Sequence, residues 1–389
     1  MTNKINIFKH FLLITILAFT SLQGFAYEPV DKEHNSDQGP ALPADPHHNE
    51  EHKATFDAGK TIIEHVADSY DWHLWGHTSI HLPIILKTDK GIELFSSGKF
   101  DHGHASYQGN YNYRILNGDI VVFDDVTESV DEAATAQLWD FSITKNAMAM
   151  FISMIIMLVM FISVARAYTK NKGKAPRGLQ SFIEPLVIFI RDDVAKVSIG
   201  KRYESFLPFL LTVFFFIWIN NLMGLIPFAP GGVNVTGNIS IAMVLALFVL
   251  IITFVIANKH YWRHVFAMPG VPFGVLFILT PIEILGLFLR PFVLMIRLFA
   301  NITAGHIIAL AFFSLIFIFG EMNTGLGFGV SILSLVFTVF MGAMELLVAF
   351  LQAYVFTLLT AIYFGAAVDE GHEIHNHVDD HAGEKSHAH

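Results

Sequence analysis

The sequence predicts an all-α polytopic membrane protein with about five membrane-crossing helices and a small N-terminal extracytoplasmic α+β domain. Of its 389 residues, 53% are hydrophobic and 15% are charged, whereas about 25% are charged in a typical soluble domain. The segment from Ser205 to Val368 carries only seven charged side chains in 164 residues. Basic residues cluster between the apolar runs. An ordinary soluble enzyme is therefore excluded.

Net charge and cysteine content narrow the possible functions further. The formal net charge of −10 argues against nucleic acid as a partner, because phosphate binding requires a basic surface. The chain contains no cysteine, which excludes disulfides, thiolate metal sites and a cysteine nucleophile. We expect neither a cofactor nor a resident metal.

The first 26 residues have the layout of a signal peptide. Lys4 and Lys9 precede an apolar run from Phe11 to Phe19. Small residues follow up to Ala26, and the apolar run is too short to span a membrane as a stable helix. We predict a signal peptide over residues 1–26, and a short retained anchor is the alternative. Either segment would place the following residues across the membrane.

Residues 27–142 form the predicted extracytoplasmic domain, with 21 acidic and seven basic side chains. The part up to about Lys53 is rich in Pro, His, Asp and Glu, which is typical of a linker. Helical spacing follows from Thr55 to Tyr70. Alternating or β-rich runs predict three strands, the first two joined by a turn at residues 88–91: Ser79 to Leu86, Gly91 to Ser96 and Ile120 to Phe123.

Three histidines in this domain raise the alternative of a metal site. His73, His77 and His81 are four residues apart, which would place them on one face of a helix. Gly76 and the β-rich run after Thr78 disfavour a helix at this point. The spacing therefore does not predict a metal centre.

The membrane domain is predicted over residues 143–368, and its first span runs from Ile143 to Ala165 with Ser142 as N-cap. Residues 166–202 then contain nine bases and three acids, which makes this segment cytoplasmic by the positive-inside rule. Within it, Phe182 to Ile190 places apolar side chains on one helical face. We predict one amphipathic helix on the membrane surface there.

Two further spans follow in the expected orientations. Phe206 to Ile226 crosses outward, and the uncharged segment from Phe228 to Gly237 forms an outside turn. Ile239 to Ala257 returns to a short basic loop that begins at Lys259, which is again on the inside.

The last two apolar segments are too long to cross a bilayer upright. Pro272 to Phe319 has 48 residues and Leu326 to Gly365 has 40. As helices these segments would extend about 72 Å and about 60 Å. Because the loop between them carries Glu321 and no base, we place that loop outside. One oblique crossing by each helix satisfies this orientation.

Arg297 is the most costly of the polar residues in these segments. An intramembrane arginine costs between about 3 and 10 kcal/mol or more, which implies a use. At about 100° per residue, Glu283, Arg290 and Arg297 share one stripe of the helix, and Asn301 is one turn further along it. For Arg290, near the start of the segment, we expect a structural role.

The remaining polar residues lie on other faces. His306 is nine residues after Arg297 and therefore lies on the opposite side of the helix. On the last helix, Glu345 and Gln352 are seven residues apart and share a face. A structural ion pair between Arg297 and Glu345 is the alternative to a functional role for these two charges.

These residues resemble subunit a of the F-type ATP synthase. The similarity covers about Ser142 to Phe364, and its most specific part is the core Arg297-Leu298-Phe299-Ala300-Asn301 with its spacing to the final helix. The other motifs that carry it are Asn221-Leu222-Met223-Gly224, Glu283-Ile284-Leu285, Leu289-Arg290-Pro291, Ala304-Gly305 and Leu351-Gln352-Ala353-Tyr354-Val355-Phe356.

The resemblance implies a non-catalytic, proton-translocating stator subunit that works against a ring of c subunits and is held by b-type peripheral stalk subunits. The residue matching Arg297 faces the ring, between two aqueous half-channels. By the same match Asn301, Gln352 and Glu283 lie near the ion path. The location implied is the bacterial inner membrane.

One departure from the family pattern is informative. Many bacterial relatives have Glu where this chain has His306, and His where it has Glu345. The two residue types are exchanged between the positions, so a histidine and a carboxylate are both kept. The resemblance therefore implies that these two residues form a proton relay.

Two other function classes remain as alternatives. A stand-alone ion channel or secondary transporter would usually show an internal repeat, and the two halves of this chain show none. An intramembrane hydrolase would require HExxH or GxSxG, and His372-Glu373-Ile374-His375 is one residue too short. We interpret residues 369–389, with six histidines, as a low-complexity cytoplasmic tail.

Overall fold

The computed structural model describes residues 67–369, apart from residues 76–77, 104, 117, 125–128, 227–231, 234, 267, 269–270 and 323. Several predictions fall on residues that are not described: the signal peptide, the linker, most of the helix at 55–70 and the His-rich tail. The described chain divides into two units, of which the first comprises described residues of 67–152, 220–240 and 301–347 and the second comprises the other described residues.

The N-terminal part of the first unit consists of short antiparallel strands. They form a hairpin β1-β2, a three-stranded sheet in the order β4-β3-β9 and a four-stranded sheet in the order β5-β6-β7-β8. One turn of helix, α1 (Glu132–Thr135), precedes the last strand. The strands are β1 (Asp71–Trp75), β2 (Thr78–His81), β3 (Pro83–Thr88), β4 (Gly91–Ser96), β5 (Tyr107–Gln108), β6 (Asn112–Leu116), β7 (Asp119–Asp124), β8 (Ser129–Val130) and β9 (Trp139–Asp140).

Residues of these strands form a small apolar core together with Tyr70, which precedes β1, and Phe100, which lies in a 3-10 helical segment (Ser97–Gly103). The core is Tyr70, Ile84, Leu86, Phe95, Phe100, Tyr113, Ile120 and Val122. The predicted strand at Gly91 to Ser96 and the turn before it are confirmed, with Thr88 opposite Gly91. The predicted strand at Ser79 to Leu86 is wrong as one element, because the chain changes partner at Leu82. Its backbone N–H donates to the carbonyl of Tyr70, and β2 and β3 pair with different strands.

The junction with the first long helix is closely bonded. The helix α2 (Lys145–Lys170) begins two residues later than predicted, and Thr144 accepts a hydrogen bond from the N–H of Ala147. Ser142 is therefore not the N-cap; its hydroxyl oxygen instead accepts from the N–H of Ile85 at 3.0 Å. The backbone N–H of Lys145 donates to the carbonyl of Ser69 at 2.9 Å.

Asp68 completes this junction. Its carboxylate oxygen accepts from the backbone N–H groups of Ser69, at 2.9 Å, and Asn146, at 3.2 Å. Burial raises the pKa of the Asp68 carboxyl group, and the hydrogen bonds and the ammonium of Lys145 counteract only part of this rise. The strand domain is thus attached to the first turn of α2 by several hydrogen bonds.

The rest of the described chain is helical. Five helical stretches are long and apolar enough to cross a membrane, so the chain is a multi-pass membrane protein. Their outward side chains are apolar, as at Ile155, Val159 and Ile332, each more than half exposed. After α2, the helices are α3 (Leu179–Phe189), α4 (Lys196–Ile199), α5 (Tyr203–Leu225), α6 (Ile239–Ile256), α7 (Lys259–Phe266), α8 (Phe273–Met322) and α9 (Thr324–Val368).

A helix is present where the amphipathic helix is predicted, and its position on the membrane surface stays a prediction. The α3 helix continues through a π-helical turn, Ile190–Ala195, into α4, and buries Ile183, Ile190 and Val194 along one face. Gly200 ends this segment with φ of 71° and ψ of −139°, a conformation that favours glycine. The next span then begins within four residues, at Tyr203.

The two long apolar segments are single helices, α8 with 50 residues and α9 with 45. At 1.5 Å per residue their lengths are about 75 Å and about 68 Å. The predicted loop at residues 320–325 is shorter than expected, since α8 extends to Met322 and α9 begins at Thr324. Their oblique orientation stays a prediction.

Candidate functional site

The first unit brings two of the predicted residues into direct contact. His306 of α8 and Glu345 of α9 share a hydrogen bond between Nδ1 and Oε1, in which the imidazole N–H donates when the carboxyl group is ionised. The two side chains are only 12% and 9% exposed. An imidazolium next to a carboxylate, and a neutral imidazole next to a carboxylic acid after transfer of the shared proton, both satisfy this geometry. The pair is therefore able to hold and pass a proton.

Two glycines lie close to this contact. A Cβ atom on Gly305 would lie 3.5 Å from Oε1 of Glu345, an ordinary van der Waals distance, so the backbone of α8 packs closely against the carboxyl group. On the other side, a Cβ atom on Gly224 would lie 3.9 Å from Cε1 of His306 and 3.4 Å from the carbonyl oxygen of Val233. The imidazole thus lies close to the end of α5 and the loop that follows it.

That loop adds further polar groups to the first unit. The hydroxyl of Thr236 donates to the side-chain oxygen of Asn221, and both side chains are buried. The hydroxyl of Thr303, one turn before His306 on α8, donates to the carbonyl of Gly237 at 3.2 Å. The polar groups of this loop are thus hydrogen-bonded within the first unit.

Aromatic and hydroxyl contacts hold α8 and α9 together further along. The rings of Phe312 and Phe337 stack with centroids 5.1 Å apart. The hydroxyl of Ser334 donates to the backbone carbonyl of Phe312. These contacts fix the register of the two helices next to the His306–Glu345 pair.

The second unit contains the two arginines of α8. Nη2 of Arg290 lies 4.0 Å from Oε2 of Glu283, and Nη1 donates to the hydroxyl of Tyr261 at 3.4 Å. The guanidinium also lies 5.6 Å from the centre of the Tyr363 ring. Arg290 therefore has an ionic, a polar and an aromatic partner within its own chain, in agreement with the structural role expected for it.

A small cavity adjoins Arg290. Its volume is about 10 Å³, close to the space that one water molecule needs. The residues around it include Thr253, Tyr261, Arg290 and Tyr363, but the surface of the cavity is mostly apolar.

Arg297 has a different environment. Its side chain is half-buried, between the fully buried Leu294 and Leu298 and the exposed Val293 and Ile296. Among residues 67–369 as described, no side chain forms an ion pair or a hydrogen bond with its guanidinium. Glu345, its partner in the structural alternative, is bonded to His306 instead. The charge of Arg297 therefore lies at the border between the packed and the open side of α8.

The other predicted residues occupy contrasting positions. Asn301 is exposed on α8, whereas Gln352 is 5% exposed on α9. Their roles near the ion path stay predictions. Sequence reasoning missed Tyr261, Thr236 and Tyr363 as partners of the polar residues, although each is a hydroxyl group in or beside an apolar run.

Of the three histidines considered as metal ligands, only His81 has a described side chain. His73 lies in β1 opposite Ser79, and its side chain and all of His77 fall outside the described residues. Nδ1 of His81 lies 2.9 Å from the carboxylate of Asp71. Within the described part of the chain, no group of three potential ligands lies together.

Comparison with known proteins gives two family matches. The model of the family "ATP synthase A chain" matches residues 147–365. A second model, a domain of unknown function (DUF8433), matches residues 61–141.

Individual relatives agree with the first match. The chain is 41% identical over 250 residues to an ATP synthase subunit a of Chloroherpeton thalassium, covering 62% of this chain and 72% of the relative. It is 40% identical over 278 residues to an ATP synthase subunit a 2 of Prosthecochloris aestuarii, covering 70% and 83%. A subunit a of an Anaeromyxobacter species is 34% identical over 340 residues, covering 83% and 73%.

Proposed function

Because this chain belongs to the ATP synthase A chain family, we propose that it is the proton-translocating stator subunit of a rotary ATP synthase. We propose further that it offers two aqueous half-channels to the carboxylates of a c-ring. Arg297 would be the charge barrier between these half-channels. The chain would have no catalytic site of its own.

Arg297 is the observation that carries this proposal. Arg290, Glu283, His306 and Glu345 each have a charged partner within the chain. Arg297 has none among the residues that the structure describes, although it lies in an apolar helix where an isolated charge is costly. A permanent cation of this kind favours an anionic partner on another molecule, since arginine stays protonated under all physiological conditions.

Proton entry is assigned to the His306–Glu345 pair. Imidazole and carboxyl groups can each bind and release a proton, so this hydrogen-bonded pair is suited to take protons from a wet channel and deliver them inward. The delivered proton would neutralise a carboxylate on the ring. A neutral acid is then able to face lipid, which an ionised acid is not.

Proton exit follows after the ring has turned. The ring carboxyl group would lose its proton into the second half-channel and, once ionised, be attracted by the guanidinium of Arg297. The same fixed charge would repel protons that move directly between the two half-channels. Asn301, Gln352 and Glu283 are proposed to line the path on either side of Arg297.

The energy available per proton explains why a rotary device is needed. One elementary charge that crosses about 100 mV releases about 2.3 kcal/mol. Several protons must therefore be combined for each ATP, and a turning ring combines them. The stator subunit has only to keep entry and exit separate.

The proposal also specifies the partners of the chain, its membrane and the role of each domain. The c-ring, b-type peripheral stalk subunits and lipid would be the partners, in a bacterial inner membrane. Residues 1–26 would be a signal peptide, residues 27–142 an extracytoplasmic domain, residues 143–368 the stator domain and residues 369–389 a cytoplasmic tail.

Isolation of the chain from its native membrane tests this function. An affinity tag on the chain is expected to recover a c-ring and a peripheral ATPase, whose ATP hydrolysis acidifies inverted vesicles. Recovery of an isolated chain that transports ions without ATPase subunits would contradict the proposal and support a stand-alone channel or transporter.

A further inference from the structure

The strand domain carries an exposed apolar surface that the proposed ion path does not use. It is the outer face of the three-stranded sheet β4-β3-β9, and we name it the apolar sheet face. Its outermost side chains are 48–72% exposed in the described chain. Its members are Ile85, Lys87, Ile92, Leu94, Trp139 and Phe141, of which Ile85 is half-buried.

This face is apolar on the side where an antiparallel sheet is normally polar. Ile84, Leu86 and Phe95 of the same strands point to the opposite side and are buried in the core. Strands that alternate core and solvent usually place polar side chains outward. Here Ile92 and Leu94 are 72% and 71% exposed. A contiguous apolar patch of this kind marks a contact surface.

Aromatic side chains extend the face toward the first membrane span. The rings of Trp139 and Phe141 stack with centroids 6.3 Å apart, at 11° between their planes. The N–H of Phe141 donates to the carbonyl of Ile85, which continues the pairing of β9 with β3. Trp139 lies opposite Lys87 in this pairing. The two aromatic rings and the aliphatic side chains therefore belong to one continuous surface.

The charge on this face differs from that of the domain around it. Residues 27–142 carry three times as many acids as bases, with 21 against seven, yet the only charged member of the face is Lys87. The acidic residues of the same strands point elsewhere. Glu93 accepts a hydrogen bond from the hydroxyl of Tyr113 at 2.5 Å, and Asp140 accepts from Tyr70 at 2.6 Å.

The face is tied closely to the start of the first span. Phe141 is four residues before Lys145, where α2 begins, so their Cα atoms are at most about 14 Å apart. Ile85 and Pro83 of β3 bond directly to Ser142 and Ile143. Asp68 and Ser69 bond to the first turn of α2. The sheet is thus fixed to the end of a membrane helix and has little freedom to move away from it.

We propose that the apolar sheet face rests on lipid, in the interfacial layer of the leaflet where α2 begins. Tryptophan is enriched at this level of the bilayer, because its ring is apolar and its N–H is polar. Isoleucine and leucine side chains would enter the upper acyl region, and Lys87 would extend its ammonium to lipid phosphate. An acid-free face avoids repulsion from anionic headgroups.

Site-directed spin labelling tests this placement, since the chain has no cysteine of its own. A nitroxide would be attached at Leu94→Cys, on the apolar sheet face. The matched control is Leu116→Cys, also an exposed leucine at the end of a strand, but in the four-stranded sheet. The complex that contains the full-length chain would be reconstituted in vesicles of phosphatidylethanolamine and phosphatidylglycerol, with the cysteine-free chain as background.

Power saturation then reports the surroundings of each label. Oxygen concentrates in lipid and a neutral nickel chelate concentrates in water. We expect the label at position 94 to collide preferentially with oxygen and the label at position 116 to collide preferentially with nickel. Equal nickel accessibility at both positions would overturn the proposal. Protection of position 94 from both reagents would also overturn it, because it would show a protein cover, either residues 1–66 or another subunit.

Discussion

Arg290 and Arg297 lie seven residues apart on the same stripe of α8, yet the partners of their guanidinium groups differ. Arg290 has Glu283, Tyr261 and the ring of Tyr363 as partners. Arg297 has no ionic or hydrogen-bond partner within the described part of its chain. One charge is neutralised within the chain, and the other is, under the proposed function, available to an acid on another molecule. The comparison shows that an intramembrane charge must be interpreted by its contacts, not by its presence.

The largest effect is expected from removing Arg297. Arg297→Ala should abolish ATP-driven proton uptake by inverted vesicles, because no fixed cation would then meet the ring carboxylate or block leakage between the half-channels. Arg290→Ala is the matched control and should retain most of the uptake, since Arg290 is paired within the chain. Equal loss in both variants would remove the distinction between the two arginines.

The addition of an acidic side chain next to Arg297 should have almost the same effect as the removal of Arg297. Val293 is 43% exposed and precedes Arg297 by four residues, the spacing at which a glutamate pairs well with a following arginine. Val293→Glu should therefore neutralise the guanidinium and stop proton uptake. Val293→Gln, which adds the same volume without charge, should retain it. Similar uptake in both variants would show that an unpaired Arg297 is not required.

Substitution of His306 or Glu345 should slow proton uptake less than loss of Arg297 does, and the two substitutions should act on each other. Loss of a hydrogen bond to a charged group costs about 1.5–3 kcal/mol, so His306→Ala or Glu345→Ala should slow proton uptake by about ten- to a hundredfold. The exchange variant, His306→Glu with Glu345→His, should recover part of this loss. If it were no faster than the slower single variant, the two residues would not act together.

The smallest effect is expected from the titration of Asp68. This buried acid has hydrogen-bond partners in the strand domain and in the first turn of α2. Because burial raises the pKa of Asp68 in the folded chain, its protonated form is favoured there. Its contribution to the stability of the junction is therefore largest below its unfolded pKa of about 3.9 and is lost as the pH rises through the folded pKa. The protection factor of the Asn146 amide in hydrogen exchange should fall over this range.

Asp68→Asn provides the control for this pH dependence. The amide keeps an oxygen that accepts from the N–H groups of Ser69 and Asn146 but does not titrate. Protection of the Asn146 amide should then be independent of pH over the same range. An unchanged pH dependence would assign the effect to another group.

The helical part of the fold was readily predicted from sequence, because about twenty successive apolar residues have few other interpretations. The ends of α5 and α6 fall within three residues of the prediction, and the long apolar segments are indeed single helices. The start of α2 was misplaced, because Ser142 is used as an acceptor by Ile85, a residue distant in sequence. Local capping patterns do not contain such long-range contacts.

The strand domain was harder to predict. β1 and β6 were missed because Asp71–Trp75 and Asn112–Leu116 show weak alternation, and their pairing with β2 and with β5 and β7 stabilises them. The same limit applies to the candidate site. Spacing along α8 is sufficient to place His306 and Arg297 on opposite sides of the helix. Tyr261 and Tyr363 are distant in sequence from Arg290, so only the tertiary structure identifies them as its partners.

Cysteine cross-linking to the ring is the decisive test of the role assigned to Arg297. Val293→Cys lies one turn before Arg297 on the same side of α8, whereas Phe288→Cys is also exposed but on the opposite side, nine residues away. Each would be combined with a cysteine next to the essential carboxylate of the c subunit. A disulfide from position 293 and none from position 288 is the predicted result. Cross-linking from position 288 alone, or from neither position, would contradict it.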